Sequence, residues 1–212
     1  MGEVVVLDVD EQLDLMRQNR AFNRATFDDL SRSLPDSFPS GDASYLDFIG
    51  HVQGYLEAPL RAGHLIDRLI LSRRSAGKGR DTESVHFLMT LLSLALETET
   101  LEDRARSLFL MLSSASGESS GNGPATVDLK ATARLIEDLH STHQVPVEKK
   151  VIKTDHSYPT QTYTEATPAQ LLDAAVAELK LGAGLRLSED NFVDVLLSKS
   201  VCAWGGCYPR AR

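Results

Sequence analysis

Cysteine is scarce in this 212-residue chain, and both copies, Cys202 and Cys207, lie near its C-terminus. Two thiols do not make the disulfide framework of a small secreted domain, so we expect a reducing, cytosolic compartment. The spacing Cys202-x4-Cys207 matches neither a zinc site nor a redox motif, because no second Cys/His pair lies nearby in the sequence.

Long apolar runs are also missing. No stretch approaches the roughly 20 apolar residues that a membrane-spanning helix needs. The N-terminus carries no positive segment before its short apolar run at Val4 to Leu7, so it does not predict a signal peptide. Gly2 suggests N-myristoylation, but Val6 stands where that motif has Ser or Thr. We therefore expect no transmembrane segment.

Positively charged residues are fewer than negatively charged residues. The chain has 22 Lys and Arg against 30 Asp and Glu, which gives a formal net charge of −8. A net negative charge disfavours binding to the phosphate backbone, so nucleic acid is not an expected partner. The acidic residues are spread along the chain, a distribution typical of solvated helix faces.

Signatures of catalysis and metal binding are missing as well. The run from Ser75 to Gly79 lacks both the first glycine and the preceding strand of a phosphate-binding loop. His140 and His143 lie three residues apart but lack a compact third ligand, so we interpret them as cations at a helix end. The sequence predicts no catalytic residue, no metal ligand and no cofactor.

The chain is organised around an apolar stretch from Ser84 to Ser113. Its first half is apolar on nearly all sides, which predicts a helix covered by other elements. Its second half, from Leu101, is amphipathic, and Thr100 with Asp103 is placed to cap it. We predict a buried hairpin of two helices at the centre of an all-α bundle.

Amphipathic helices flank this hairpin. Thr26 to Asp29 is expected to open a helix that Pro35 and Pro39 break. Later helices follow candidate caps at Asp42 or Ser44, Asp128, Thr167 and Ser188. We divide the chain into an N-terminal arm and helix (1–26), first helical pairs (27–98), second helical pairs (99–200) and a tail (201–212). The second set includes a mobile loop at 114–126 and a long connection at 141–166.

A unit of helix, loop, short extended piece and second helix recurs in the chain. The copies run over 168–199, 101–139 and 59–96, and 27–56 resembles a fourth. Paired units of this size are typical of EF-hand proteins, although any antiparallel helical bundle gives similar hairpins. The fold class expected is a bundle of paired helix-loop-helix units, EF-hand-like with degenerate loops.

Calcium binding depends on oxygen ligands at loop positions 1, 3, 5 and 12. With Leu187, Val85 and Val127 each taken as position 8, position 12 becomes Asn191, Met89 and Ala131. The loop before Val85 would also place Lys78 and Arg80 as ligands, and their charges repel a cation. The three tested loops therefore predict no calcium site.

The arrangement resembles the N-terminal helical region that precedes the TLDc domain in TLDc-family proteins of the lysosomal, mTOR-associated type. The resemblance covers about residues 27–204 and is carried by HFLMTLLSLALETETLEDRARSLFLMLSS, VDLKATARLIEDL and ELKLGAGLRLSEDNFVDVLLSK. Arg212 ends the chain where a TLDc domain would be expected to begin. The resemblance implies attachment to the vacuolar-type proton ATPase (V-ATPase) or a role in lysosomal, mTOR-related signalling, with peripheral attachment to the lysosomal membrane.

The leading hypothesis is a non-enzymatic adaptor or scaffold module that works by protein–protein contact. Its expected contact surfaces are the basic loop at 73–80, the connection at 141–166 and an aromatic anchor in the tail. The partner-binding residues expected there are Arg73, Arg74, Lys78, Arg80, Trp204 and Tyr208. The alternative is a calcium-responsive EF-hand-type sensor. An enzyme is the third class, and it would require polar groups that converge on a pocket.

Overall fold

The computed structural model of the chain describes residues 4–6, 16–18, 20–56, 82–98, 100–115, 124–142, 144–146, 166–182, 186–201 and 203–204. This part is mostly helical, and each of its strands has two or three residues, so the fold class is all-α as predicted. The helices with described bounds are α1 (Arg24–Ser37), α2 (Tyr45–Gln53), α3 (Val85–Ser93), α4 (Leu101–Ala115), α5 (Leu129–Ser141), α6 (Pro168–Glu178) and α7 (Glu189–Leu197). The strands are β1 (Val4–Val6), β2 (Asp42–Ser44), β3 (Thr82–Ser84), β4 (Val127–Asp128), β5 (Gln144–Pro146) and β6 (Arg186–Leu187).

Polar side chains cap six of these helices at their N-termini. Each accepts a hydrogen bond from the backbone N–H three residues on, which satisfies a donor that the first turn leaves free. The caps are Asn23 for α1, Ser44 for α2, Thr100 for α4, Asp128 for α5, Thr167 for α6 and Ser188 for α7. The sequence predicts Thr100, Asp128, Thr167 and Ser188, and names Ser44 as one of two candidates.

Helix α1 differs from the prediction at both ends. It begins at Arg24, because the side chain of Asn23 accepts from the N–H of Thr26 at 2.9 Å. Pro35 lies inside the helix and does not end it. The residue stands in the last turn, where its missing N–H removes one helical hydrogen bond and α1 continues to Ser37.

In two of the sheets each short strand leads into a helix, directly or after one residue, and the strands pair antiparallel. Strand β2 pairs with β3, with Ala43 opposite Glu83. Strand β4 pairs with β6, with Val127 opposite Leu187. We call α1 to α3 with β2 and β3 the first unit, and α4 to α7 with β4 and β6 the second unit. A third two-stranded sheet, β1 with β5, joins the N-terminal residues to the chain after α5.

The predicted central hairpin is confirmed. Every residue of α3 is buried apart from His86, and the apolar run continues through Leu94 to Leu96, each fully buried. Helix α4 buries Ala105, Leu108, Phe109 and Leu112. Burying a large apolar side chain contributes roughly 1.5–3 kcal/mol, so this hairpin supplies much of the stabilising burial.

One continuous core joins the two units within the described residues. The ring of Phe22 stacks on Phe27 at 6.0 Å between centroids, and Phe22 also forms a parallel bridge with Leu96. On the other side of the core, Phe109 of α4 meets Phe192 of α7 edge-on at 5.6 Å. Helix α4 therefore packs between α1 of the first unit and α7 of the second.

Candidate functional site

Two neighbouring surface cavities lie at the junction of the two units. One, of about 180 Å³, is on the first-unit side, and the other, of about 280 Å³, is on the second-unit side. His86 of α3 and Met111 of α4 line both cavities. We call the two cavities together the inter-unit groove.

The first-unit end of the inter-unit groove is apolar. It is lined by Leu34, Pro35 and Phe38 at the end of α1, by Pro39, and by Val85 at the start of α3. Pro35 and Pro39 are exposed there, because the last turn of α1 and the loop after it lie at the surface. Met111 is buried at the base, and its flexible thioether can adjust to differently shaped side chains.

The second-unit end of the inter-unit groove is polar and carries basic side chains of α5. Lys130 and Arg134 lie one helical turn apart, and both are exposed. Asp128 also lines this end, but its carboxylate accepts the N–H of Ala131 at 2.7 Å as the cap of α5. Asp138 lies one turn beyond Arg134. The arrangement offers two cations next to an apolar cavity.

His86 stands between the two ends of the inter-unit groove. Partial burial lowers the pKa of its imidazole below the ordinary value, and the positive charge of Arg134 lowers it further. His86 is therefore mainly neutral near pH 7, and its ring can serve as a hydrogen-bond donor or acceptor according to its tautomer.

The loop of the first unit carries a set of oxygen donors between Asp36 and Asp47. With Ala43 as position 8, the loop runs from Asp36 at position 1 to Asp47 at position 12. Gly41 falls at position 6 with φ of +76°, the left-handed conformation that a calcium loop requires at that point. The remaining oxygen-bearing positions are Ser40, Asp42 and Ser44.

Other features of this loop oppose calcium. Phe38 occupies position 3, and its ring packs against Phe48 and His51 at centroid distances of 6.2 and 5.5 Å. The carboxylate of Asp47 accepts a hydrogen bond from the hydroxyl of Ser44 at 2.7 Å. In the described part of the chain, no three His, Cys, Asp or Glu side chains converge closely enough to hold a metal ion.

The second loop has a different register from the one predicted. The sequence predicts Val85 at position 8, but the strand pairing places Glu83 opposite Ala43, and Val85 is the first residue of α3. The prediction was wrong by two residues because the strand ends at Ser84, the N-cap of α3. Position 12 then becomes Phe87, a buried side chain with no ligand oxygen. In the second unit Val127 lies opposite Leu187, as expected if both residues occupy position 8 of their loops.

His140 is not a helix-end cation. Burial lowers the pKa of its imidazole, although the hydrogen bond to the backbone of Val201 raises it in part. The Nε2–H donates to the carbonyl oxygen of Val201 at 2.8 Å. The neutral ring thus joins α5 to the chain after α7. His143 lies outside the described residues.

Most of the predicted contact residues, namely Arg73, Arg74, Lys78, Arg80 and Tyr208, lie outside the described residues. Trp204 is described, and its side chain is 2% exposed within the core cluster. Val201 and Ala203 are also buried. The interpretation of Trp204 as an anchor for a partner does not hold in this structure, because its ring packs inside its own chain. Of the long connection, β5 at Gln144–Pro146 is described and forms the predicted type of extended piece.

The periodicity of single helices does not predict the inter-unit groove. Its lining residues come from α1, α3, α4 and α5, which are separated by tens of residues in the chain. The spacing of Lys130 and Arg134 was the one local signal available. No helix in the described ranges has the length and apolar character to cross a lipid bilayer.

Comparisons with known proteins give no match to the chain among family models, curated proteins or solved structures.

Proposed function

We propose that this chain is a non-enzymatic interaction module made of EF-hand-like helix pairs. The pairing of β2 with β3 and of β4 with β6 supports this, since β2, β4 and β6 each lie between two successive helices and β3 leads into α3. Working EF-hand pairs join their loops through such short antiparallel strands. In this proposal the units serve as a scaffold whose loops have lost most calcium ligands.

The inter-unit groove is the proposed contact surface, and the proposal depends on it. Its occupant is a segment of a partner protein that inserts one or two apolar side chains near Met111 and places a carboxylate near Lys130 and Arg134. The apolar lining supports the first contact, and the two exposed cations support the second through charge complementarity. The family resemblance adds a partner class, namely subunits of the V-ATPase at the lysosomal membrane.

Affinity capture with defined variants tests this proposal. Arg134→Glu reverses the charge at the polar end of the groove, and the side chain is exposed, so the fold is expected to persist. We expect V-ATPase subunits to be enriched with the parent chain and lost with Arg134→Glu. Arg32→Glu is the matched control, because Arg32 is an exposed arginine of α1 that does not line the groove. Equal enrichment with all three chains, or none with the parent, would contradict the proposal.

A calcium-responsive sensor is the second candidate, and the loop from Asp36 to Asp47 favours it. In sequence, five oxygen-bearing residues and the left-handed Gly41 stand at calcium-loop positions, with Phe38 at position 3 and Asp47 in place of Glu at position 12 as departures. A calcium titration followed by the fluorescence of Trp204, the single tryptophan, separates the two candidates. A saturable micromolar response that Asp36→Ala abolishes would replace the leading proposal. A calcium titration without a change in Trp204 fluorescence would exclude the sensor.

A further inference from the structure

His86 lies where a segment bound in the inter-unit groove has to pass. It lines both cavities together with Met111. Met111 is buried, whereas His86 is exposed on a helix whose other residues are buried. A partner segment that fills the two cavities therefore lies against the imidazole of His86.

The charged side chains that share a cavity with His86 come from α5 and its cap, in the part of the chain that the structure describes. They are Asp128, Lys130, Arg134 and Asp138. The other residues that line the two cavities, from α1, the loop after it, β3, α3, β4 and α4, are uncharged. The electrostatic surroundings of the imidazole are thus set by α5.

In the chain without a partner these surroundings oppose a charge on His86. Partial burial lowers the pKa of the imidazole, and the positive charge of Arg134 lowers it further. A proton on the ring would add a third cation beside Lys130 and Arg134, with no new negative charge to offset it. The ring is therefore mainly neutral near pH 7.

A bound partner changes this balance. The proposed partner places a carboxylate near Lys130 and Arg134, and Arg134 is close enough to His86 for its charge to act on the ring. An opposite charge within about 4–6 Å favours the charged form of a titratable group. Covering the ring with an apolar side chain opposes this, but part of that burial is already present in the free chain. The carboxylate is an entirely new charge, so the complex favours the imidazolium.

We propose that His86 takes up a proton when an acidic partner segment occupies the inter-unit groove, so that the contact tightens as the pH falls. This inference rests on the function proposed above. A group that holds its proton more strongly in the complex than in the free chain makes association stronger at lower pH. Each unit of difference between the bound and the free pKa allows up to about a tenfold change in affinity.

Capture of V-ATPase subunits, the proposed partner class, at about pH 7.5 and about pH 6 tests this inference. Increasing amounts of the immobilised full chain give an apparent Kd at each pH. We expect the parent chain to bind at least about threefold more tightly at the lower pH. His86→Gln keeps a polar side chain that cannot take up a proton, and the position is exposed, so the fold is expected to persist. The variant should bind equally well at both pH values.

His51→Gln is the matched control. His51 lies in α2 and lines neither cavity, so this variant should show the same gain in affinity as the parent. Comparison of the three chains against one lysate removes any effect of pH that belongs to the partner itself.

Three results count against the inference. The same ratio of the two Kd values in the parent and in His86→Gln overturns it, and leaves the proposed function intact if Arg134→Glu still abolishes capture. Weaker binding of the parent at the lower pH also overturns it, because burial of the ring would then outweigh the carboxylate. Absence of capture at both pH values overturns the proposed function and this inference with it.

Discussion

Single residues in this molecule take their roles from distant neighbours. His140 and Trp204 show this most clearly. His140 binds the carbonyl oxygen of Val201, and Trp204 lies three residues further on in the same buried region. An aromatic residue near a chain end suggests an exposed anchor, and a histidine at a helix end suggests a cation. Burial of both side chains changes each interpretation, since an enclosed imidazole favours its neutral form and an enclosed indole is not available to a partner.

Acid is expected to lower the free energy of unfolding, and His140 contributes to this loss. Its folded-state pKa is lower than the ordinary value of 6.5, so below that pH the unfolded chain binds more protons than the folded one. The free energy of unfolding should therefore decrease as the pH falls from about 7.5 to about 5.5. Urea unfolding of the parent and of His140→Gln measures the effect. The variant should lose less free energy of unfolding than the parent over this pH range. Some loss should remain, because the pKa of His86 is lowered too. The same loss in both chains would exclude this role.

At the scale of elements, caps and left-handed glycines fix where helices begin and how loops turn. The capping box at the start of α6 is complete. The side chain of Thr167 accepts a hydrogen bond from the N–H of Gln170, and the side chain of Gln170 accepts one from the N–H of Thr167. Such features are local in sequence. Most helix starts were predicted for this reason, whereas α1 continues past Pro35 to Ser37, and the backbone N–H of Phe38 still donates to the carbonyl oxygen of Leu34.

Thr167→Ala should lower the free energy of unfolding by about 1 kcal/mol, because it removes the hydroxyl that caps α6. Thr167→Ser keeps an oxygen in the same place and should cost much less. Urea denaturation of the three chains gives the comparison. A serine variant as unstable as the alanine variant would assign the effect to the lost methyl group and not to the cap.

Two glycines of the first unit should respond in opposite directions to alanine. Gly41 has φ of +76°, so Gly41→Ala should cost roughly 1–2 kcal/mol of backbone strain. Gly50 lies inside helix α2 with open space around it, so Gly50→Ala should stabilise by roughly 0.5–1 kcal/mol. Added methyl groups meet no atom within 4 Å at either position, so backbone conformation is the main difference between them. Thermal unfolding of both variants tests the pair, and equal shifts would contradict the assignment.

At the scale of the whole molecule, helix α4 makes the two units depend on each other. It packs against α1 on one side and α7 on the other, and its Arg106 lies 2.8 Å from Glu189 of α7. The inter-unit groove includes Met111 of α4. The candidate contact surface therefore depends on the packing of a helix that the sequence identified as central.

The described core should unfold in one cooperative transition. Phe27→Leu in α1 and Phe192→Leu in α7 each create a void at a fully buried position, with an expected cost of about 1–3 kcal/mol. Each variant should shift circular dichroism and Trp204 fluorescence together. A Phe27→Leu chain that loses helix content while the Trp204 signal is unchanged would show that the two units unfold separately.

The sequence by itself determined the all-α class, the buried central hairpin and most helix starts, because these follow from apolar periodicity and from caps within a few residues of one another. The tertiary structure alone decided the register of β2 with β3, the burial of Trp204 and the inter-unit groove. Each of these brings together residues far apart in the chain, as Ala43 of β2 lies opposite Glu83 of β3. Such contacts arise from how helices pack in three dimensions, and no local pattern of residues encodes their distances.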